Sequence, residues 1–406
     1  MPDRRPVDRV TAPLVVVGAS LAGLRAVEGA RRAGWTGPVV LVGAEEHLPY
    51  DRPPLSKAWL APGDEPAVPT YRDAAALSEL AVELRLGTPA TGLELDAREV
   101  VLGDERLPYG ALVVATGAAA RRLPGPAPQG VHVLRALEDA RAVRAALDAG
   151  SRTVVVGAGF IGSEVASAAR ARGLPVTVVE AAAAPLARAC GGPAAALLTA
   201  LHARAGTDLR CGTGVSGFRA EGGRVTGVEL ADGTVLPADV VVVGVGAAPA
   251  TGWLDGSGLP LDDGVLVDPC LQAAPGVLAA GDLARVERAD GTTLRLEHWT
   301  SAAEQGSLAG ANAAAVLLGG RPRPWTGVPY FWSDLYGSKV QRVGLATGEP
   351  EVLGDAGGPW AALYRDGDRL AGALTLDLPG RAMKLRALLV RGATVDDARD
   401  VLAGAL

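Results

Sequence analysis

One strand-turn-helix pattern occurs twice in this chain, and it constrains the fold more than any other feature. Leu14-Val15-Val16-Val17 runs into Gly18-Ala19-Ser20-Leu21-Ala22-Gly23, and Val154-Val155-Val156 runs into Gly157-Ala158-Gly159-Phe160-Ile161-Gly162. Glycine at these points permits a tight turn and lets backbone N–H groups at the helix start approach a pyrophosphate. In the first copy Ser20 replaces the middle glycine; serine is small enough for the same approach, and its hydroxyl can bond a phosphate. Each copy is followed by a second apolar strand ending near a carboxylate: residues 39–42 before Glu45 or Glu46, and residues 176–179 before Glu180. An acid there suits a ribose diol. A lone glycine pattern fits a plain tight turn. Two, each with its strand and its acid, point to two dinucleotides and an electron relay between them.

Composition narrows the classes. At about 150 residues per domain, 406 residues make two or three domains, and 49% hydrophobic content marks a globular chain rather than a disordered one. No apolar run approaches the ~18 residues of a membrane span. Arg4, Arg5 and Arg9 before an apolar run imitate a secretion signal, but that run ends in Gly18-Ala19-Ser20 and opens a helix. It is read as the first strand of the fold, and the protein as soluble and cytoplasmic. A net charge of −6 disfavours nucleic acid as the main partner. Cys190, Cys211 and Cys270 form no C-x-x-C pair, which removes a dithiol site and a thiolate zinc cage, so buried packing is their expected role and no metal is expected.

Strands alternating with Ala-rich helices from residue 14 to near the prolines at 322, 324 and 329 indicate an α/β fold of parallel sheets with crossover helices. Residues 24–33 continue the first motif as a helix with Gly34 as C-cap. Residues 111–114 form a strand ending in Ala115-Thr116-Gly117, and residues 239–245 repeat that signal up to Gly246, so the organisation is duplicated at coarse level. Gly222-Gly223 and Asp232-Gly233 among Val-rich runs suggest a meander or hairpins. Beyond the prolines, strands are expected at 361–364 and 370–376, turning at Asp366-Gly367 or Gly367-Asp368, then helices at 382–390 and 395–403. This is read as a smaller α+β domain.

Leu48-Pro49-Tyr50-Asp51-Arg52-Pro53-Pro54-Leu55-Ser56-Lys57 resembles the signature of the flavin-dependent ferredoxin reductases serving bacterial cytochrome P450s and ring-hydroxylating dioxygenases. Residues 275–282, Glu297-His298-Trp299 through Glu304-Gln305-Gly306, and residues 328–334 match further blocks of that family in order, so the resemblance covers essentially the whole chain. It implies two Rossmann-like dinucleotide-binding domains plus the small C-terminal domain. The FAD-binding domain is discontinuous (1–118 and 247–322), the NAD-binding domain (119–246) is inserted in it, and the α+β domain covers 323–406. It also implies a reaction: NADH reduces non-covalent FAD, which passes single electrons to an iron–sulfur ferredoxin and so to a cytochrome P450 or other oxygenase.

Carried over by position, Gly18, Ser20 and Gly23 are implied to hold the FAD pyrophosphate, Glu45 the adenosine ribose and Asp282 the ribityl chain. Arg52 and Lys57 are implied along the flavin, Val82 near the adenine and Arg135 near the pyrophosphate, with Ala115, Thr116, Gly117, Gly281, Glu297, His298 and Trp299 in the cofactor-binding set. Gly157, Gly159, Ile161, Gly162 and Glu180 are implied to bind NADH, flanked by Gly246, and NADH is expected over NADPH because Ala181 to Ala184 offer no arginine to a 2′-phosphate. Gly246-Ala247-Ala248-Pro249-Ala250 departs from the family's usual Arg-Pro-Asn. Lys57, Glu164 and Trp332 form the implied catalytic set, Lys57 and Glu164 as an ion pair beside the flavin. Read as residues alone, Glu164 equally serves the helix dipole, Trp332 equally serves a core, and His298 suits packing or capping. Arg321, Arg323, Lys339, Arg342, Arg381, Lys384 and Arg386 are expected to make a basic rim for an acidic ferredoxin. The alternatives are an NADH oxidase or peroxide-reducing flavoenzyme, which the lack of a cysteine before Cys190 opposes, and a signalling flavoprotein of the apoptosis-inducing-factor type.

Overall fold

The computed structural model describes residues 12–150 and 152–406, so Arg4, Arg5 and Arg9 lie outside the described residues. The chain forms two compact units. One runs to Asp51 and includes Val68–Ala119 and Ala248–Gly327; the other comprises Arg52–Ala67, Ala120–Ala247 and Val328–Leu406.

The first unit is built on a six-stranded sheet in the order Gln272–Ala274, Val277–Ala279, Ala111–Val114, Leu14–Val17, Val39–Val42, Glu83–Arg85. Leu14 pairs in parallel with Val39 on one side and Ala111 on the other. Four of these strands are buried at every residue, which is why they read as unbroken apolar runs rather than alternating ones. The motif helix is Leu21–Arg32, so it begins before residue 24, with Ser20 at the N-cap position. It packs against the long helix Trp299–Leu317 at backbone contact: a Cβ on Gly310 would lie 1.8 Å from the Ala26 carbonyl oxygen, and one on Gly306 2.3 Å from that of Ala22.

The second unit repeats the theme with a five-stranded parallel sheet in the order Asp208–Cys211, Val176–Glu180, Thr153–Val156, Val240–Val243, Val131–Val133. The Gly222-Gly223 and Asp232-Gly233 signals fall in an antiparallel meander of Val215–Glu221, Arg224–Leu230 and Val235–Pro237. The C-terminal part is a five-stranded antiparallel sheet followed by helices Arg381–Val390 and Val395–Leu402. The turn alternatives resolve in favour of Gly367-Asp368, since Asp366 pairs with Arg369. Sequence reasoning missed the hairpin of Tyr330–Leu335 and Ser338–Gly344, whose loop is Tyr336-Gly337, both at positive φ. Tyrosine is not a usual signal for that turn.

The segment Arg52–Ala67 lies within the residues expected to form the FAD-binding domain, yet it packs with the second unit. Two guanidinium groups explain this. Arg144, on helix Leu137–Asp148, donates to the carbonyls of Trp59, Ala61 and Gly63, and Arg172 donates to those of Leu60 and Ala61. The buried residues Trp59 and Leu60 leave carbonyls that need donors, and here both donors are charged guanidinium groups.

Candidate functional site

In the first unit the glycine turn sits at the C-terminal end of the central strand. Gly18 has φ +117°, and a Cβ there would lie 2.1 Å from the Ala115 carbonyl oxygen; one on Gly23 would lie 1.8 Å from the Gly18 carbonyl oxygen. The turn, the helix start and the strand end at Ala115 are therefore in backbone contact, and Gly281 joins them with its Cβ position 3.1 Å from the Ala22 side chain. Gly281 N–H donates to the Gln305 amide oxygen at 2.9 Å, and Thr116 Oγ1 donates to the Ala250 carbonyl at 2.8 Å. Glu45 accepts from the Tyr50 hydroxyl at 2.6 Å. Asp282 is half-buried, and its carbonyl accepts from Arg295, which also pairs with Glu297. His298 is at the N-cap of the long helix without a side-chain capping bond, and Trp299 donates its indole N–H to Asp51 and Tyr71.

Val82 departs from its expected place. It precedes Glu83, which pairs with Val40, so it lies toward the N-terminal end of the sheet, away from the turn. Residues 86–88 are nearer the expected ribose acid: Gly87 N–H donates to the Glu45 carbonyl and Thr88 N–H to that of Gly43. No sequence signal marks them.

In the second unit the turn is built alike. A Cβ on Gly157, at φ +99°, would lie 2.4 Å from the Gly244 carbonyl oxygen, and one on Gly162 would lie 2.0 Å from that of Gly157. Gly159 differs: its Cβ position meets nothing nearer than the Gly244 oxygen at 3.9 Å, so the space in front of the N-cap of helix Phe160–Ala171 is open. Glu180 faces this turn, accepting from Ala158 N–H through Oε2 and from Ala182 N–H through Oε1, each at 2.8 Å. Ile161 and Val245 are exposed apolar side chains beside the turn, and Gly246 follows at φ +100°. Val245 was not anticipated; its only signal is a large apolar residue just after a strand end.

Lys57 and Glu164 meet at 2.8 Å, Nζ to Oε1, although 107 positions of sequence part them. Glu164 is only 3% exposed, so it is no surface charge serving the helix dipole. Its Oε2 accepts from the Ser56 hydroxyl and its Oε1 also from the Ser333 hydroxyl. The pairing follows from two periodicities. Phe160, Glu164 and Ser167 share one face of a 3.6-residue helix, while Phe331, Ser333 and Leu335 share the inward face of a strand. Phe160 packs edge-on to Phe331 at 4.6 Å, Glu164 meets Ser333, and Ser167 accepts from Tyr336 N–H at 2.9 Å. Arg52 donates to the Arg135 carbonyl at 2.9 Å, so these two also lie together.

Trp332 is half-buried on the opposite strand face, stacked on Tyr330 at 5.9 Å. Arg342 does not belong to an exposed rim. Its guanidinium lies 4.8 Å over the Phe331 ring and donates to the Ala189 carbonyl, and burial lowers its pKa. Arg386 is half-buried and donates to the Val328 carbonyl. Arg321, Arg323, Lys339 and Lys384 are exposed, Arg381 is half-buried, and Lys339 pairs with Asp334 at 3.6 Å. Of the cysteines only Cys190 is buried, with its thiol pushed up to about 11 by desolvation; Cys211 and Cys270 are partly exposed.

Comparison with known proteins accounts for both halves of this arrangement. Residues 12–306 match the family model described as pyridine nucleotide-disulphide oxidoreductase, and residues 330–402 match the reductase C-terminal model. The chain is 37% identical to rhodocoxin reductase of Rhodococcus erythropolis, covering 93% of this chain and 89% of the relative. It is 39% identical to the ferredoxin–NAD(+) reductase component of the Burkholderia cepacia anthranilate 1,2-dioxygenase system, covering 95% of each. This chain belongs to the pyridine nucleotide-disulphide oxidoreductases, on their ferredoxin reductase branch. Among solved structures, the reductase of the covalent putidaredoxin reductase–putidaredoxin complex superposes with a TM-score of 0.88 at 33% identity, covering 97% of this chain and 99% of that one.

Each unit of this ferredoxin reductase fits a dinucleotide. In the first, the strand ends close so tightly around Gly18 and Gly23 that first-turn amides of helix Leu21–Arg32 are left as donors for a pyrophosphate. In the second, the open space at Gly159 and the carboxylate of Glu180 at the same turn provide a phosphate approach and a ribose acceptor. Among the described residues no helix is long and apolar enough to cross a membrane, and no cluster of side chains suits a metal ion.

Proposed function

We propose that this chain is a cytoplasmic NADH:ferredoxin oxidoreductase, taking electrons from NADH and delivering them one at a time to an iron–sulfur ferredoxin that supplies a cytochrome P450 or another oxygenase. The observation that carries the reading is the second glycine turn: one dinucleotide turn serves a dehydrogenase, whereas two, each with an acid, serve an internal relay. Bound FAD supplies the conversion between a two-electron donor and a one-electron acceptor.

The residues have separable tasks. Gly18, Ser20 and Gly23 admit the FAD pyrophosphate to the helix start, and Glu45, held by Tyr50, accepts from the ribose. Gly157, Gly159 and Gly162 do the same for NADH. Both oxygens of Glu180 are already held by backbone amides, so the carboxylate cannot swing away from a 2′-phosphate, and NADH is preferred. Lys57, oriented by Glu164, places a positive charge where negative charge develops on flavin reduction. Residues 1–118 and 247–322 bind FAD, with Arg52 and Lys57 supplied by the strap; residues 119–246 bind NADH; residues 323–406 carry Trp332. FAD is held without a covalent bond, since no histidine or cysteine occurs in residues 49–57.

The test is anaerobic turnover of the purified protein with NADH and a [2Fe–2S] ferredoxin against turnover with oxygen alone. Fast reduction of the ferredoxin with slow oxygen consumption is expected. The reverse result assigns the chain to the oxidases, a reading disfavoured by Cys190, the first cysteine in the chain, being buried with a raised thiol pKa.

A further inference from the structure

Ser333 is an anomaly of its strand. In Tyr330–Leu335 burial alternates strictly, and the inward positions are Phe331, Ser333 and Leu335. A fully buried serine between two large apolar residues leaves a hydroxyl that needs a partner. That partner is Glu164, itself buried, whose carboxylate receives Ser333 and Lys57 on Oε1 and Ser56 on Oε2. The three donors come from two separate parts of the chain: Ser56 and Lys57 from the strap, Ser333 from the C-terminal sheet.

Resting on the role given to Lys57 above, we infer that Ser333 and Ser56 are positioning residues for flavin reduction. Their hydroxyls hold both oxygens of the Glu164 carboxylate, and that carboxylate holds the Lys57 ammonium. The second contact of Lys57 is a long one, 3.5 Å to the Pro53 carbonyl, so the aim of the ammonium depends on Glu164. A buried carboxylate that loses a hydroxyl donor turns toward its remaining donors and draws the ammonium with it. The C-terminal sheet thus takes part in accepting electrons from NADH. Ser56 adds a second constraint, since it neighbours Lys57 in the 3-10 segment Pro53–Ser56 and its hydroxyl fixes the backbone from which Lys57 projects.

The experiment is anaerobic stopped-flow reduction of the FAD-loaded protein by NADH, comparing wild type, Ser333→Ala, Ser56→Ala, Lys57→Met and the double variant Ser333→Ala/Lys57→Met. Ser333→Ala is expected to slow flavin bleaching at saturating NADH roughly tenfold, the order for a hydrogen bond to a charged group, with NADH affinity and FAD content unchanged. Ser56→Ala is expected to act in the same direction, and it carries the test should Ser333→Ala not fold. In the Lys57→Met background Ser333→Ala is expected to cause no further slowing, because its effect runs through Lys57. Slowing that multiplies in the double variant would make Ser333 a structural residue only and overturn the inference. So would wild-type rates in both serine variants beside a slow Lys57→Met. Wild-type reduction by Lys57→Met itself would instead remove the role given to Lys57, and this inference with it.

Discussion

Acid should loosen the second unit through one imidazole, His202. It is 2% exposed, on the helix Gly192–Arg204, with Nε2 3.3 Å from the Ser163 hydroxyl and Nδ1 2.9 Å from the Tyr336 hydroxyl. Tyr336 is itself held neutral by burial, its pKa raised to about 12, and it also accepts from Thr207. With hydroxyls at both nitrogens, the ring is well bonded when neutral and poorly solvated when charged. Desolvation lowers its pKa from 6.5 to about 4. The sign follows: as pH falls below 6.5 the unfolded chain takes up a proton that the folded chain refuses, so stability present above that pH is lost progressively down to about 4. At about 1.36 kcal/mol per unit the full loss is about 3 kcal/mol, of which about 2 kcal/mol is gone at pH 5. For a cooperative unit of around 200 residues, that is a fall in Tm of about 4–8 °C. The assay is thermal melting of the FAD-loaded protein at pH 7.5 and pH 5, wild type against His202→Gln. Melting of the variant should start lower and depend less on pH, while His132, also lowered by burial, contributes equally to both and cancels. Asp239, held at about 2 by Arg152, does not titrate in this interval. Equal pH dependence in the two proteins would refute the reasoning, because it would place the titrating group elsewhere.

Three further outcomes are expected. Glu180→Ala should narrow the NADH over NADPH preference mainly by raising the KM for NADH, and steady-state kcat/KM for both coenzymes checks this; an unchanged ratio removes Glu180 from ribose recognition. Gly310→Ala should destabilise the first unit by about 1–3 kcal/mol, since the new Cβ would sit 1.8 Å from the Ala26 carbonyl oxygen, and the readout is earlier thermal release of FAD fluorescence. Electron transfer to an acidic [2Fe–2S] ferredoxin should slow steeply with ionic strength while reduction of a neutral quinone changes little, and charge reversal at the exposed Arg323 or Lys384 should reproduce the loss. Reversal at Arg342 would unfold its surroundings instead, because that side chain is committed to Phe331 and Ala189.

Local chemistry alone made both dinucleotide turns readable. A glycine needed at Gly18 or Gly157 by backbone closeness cannot be replaced quietly, and strands buried on both faces read as near-continuous apolar runs. The same holds for the meander turns and the terminal helices, whose signals lie within a few residues of their effects. The motif block through Lys57 carried the family and the expectation of a Lys57–Glu164 pair. What the sequence could not disclose are relations set by packing between distant segments. Val82 looked suitable until strand register put it toward the N-terminal end of the sheet. Arg342 looked like one more surface charge until the hairpin turned it onto Phe331. The strap Arg52–Ala67 joined the second unit because Arg144 and Arg172, far along the chain, donate to its carbonyls. Ser333 lies in the family block 328–334, but nothing in that block names its partner. Only where the helix face bearing Glu164 met the inward face of its strand did a buried hydroxyl acquire a carboxylate to serve, since the partner of a buried polar group is chosen by tertiary structure and not by its neighbours in sequence.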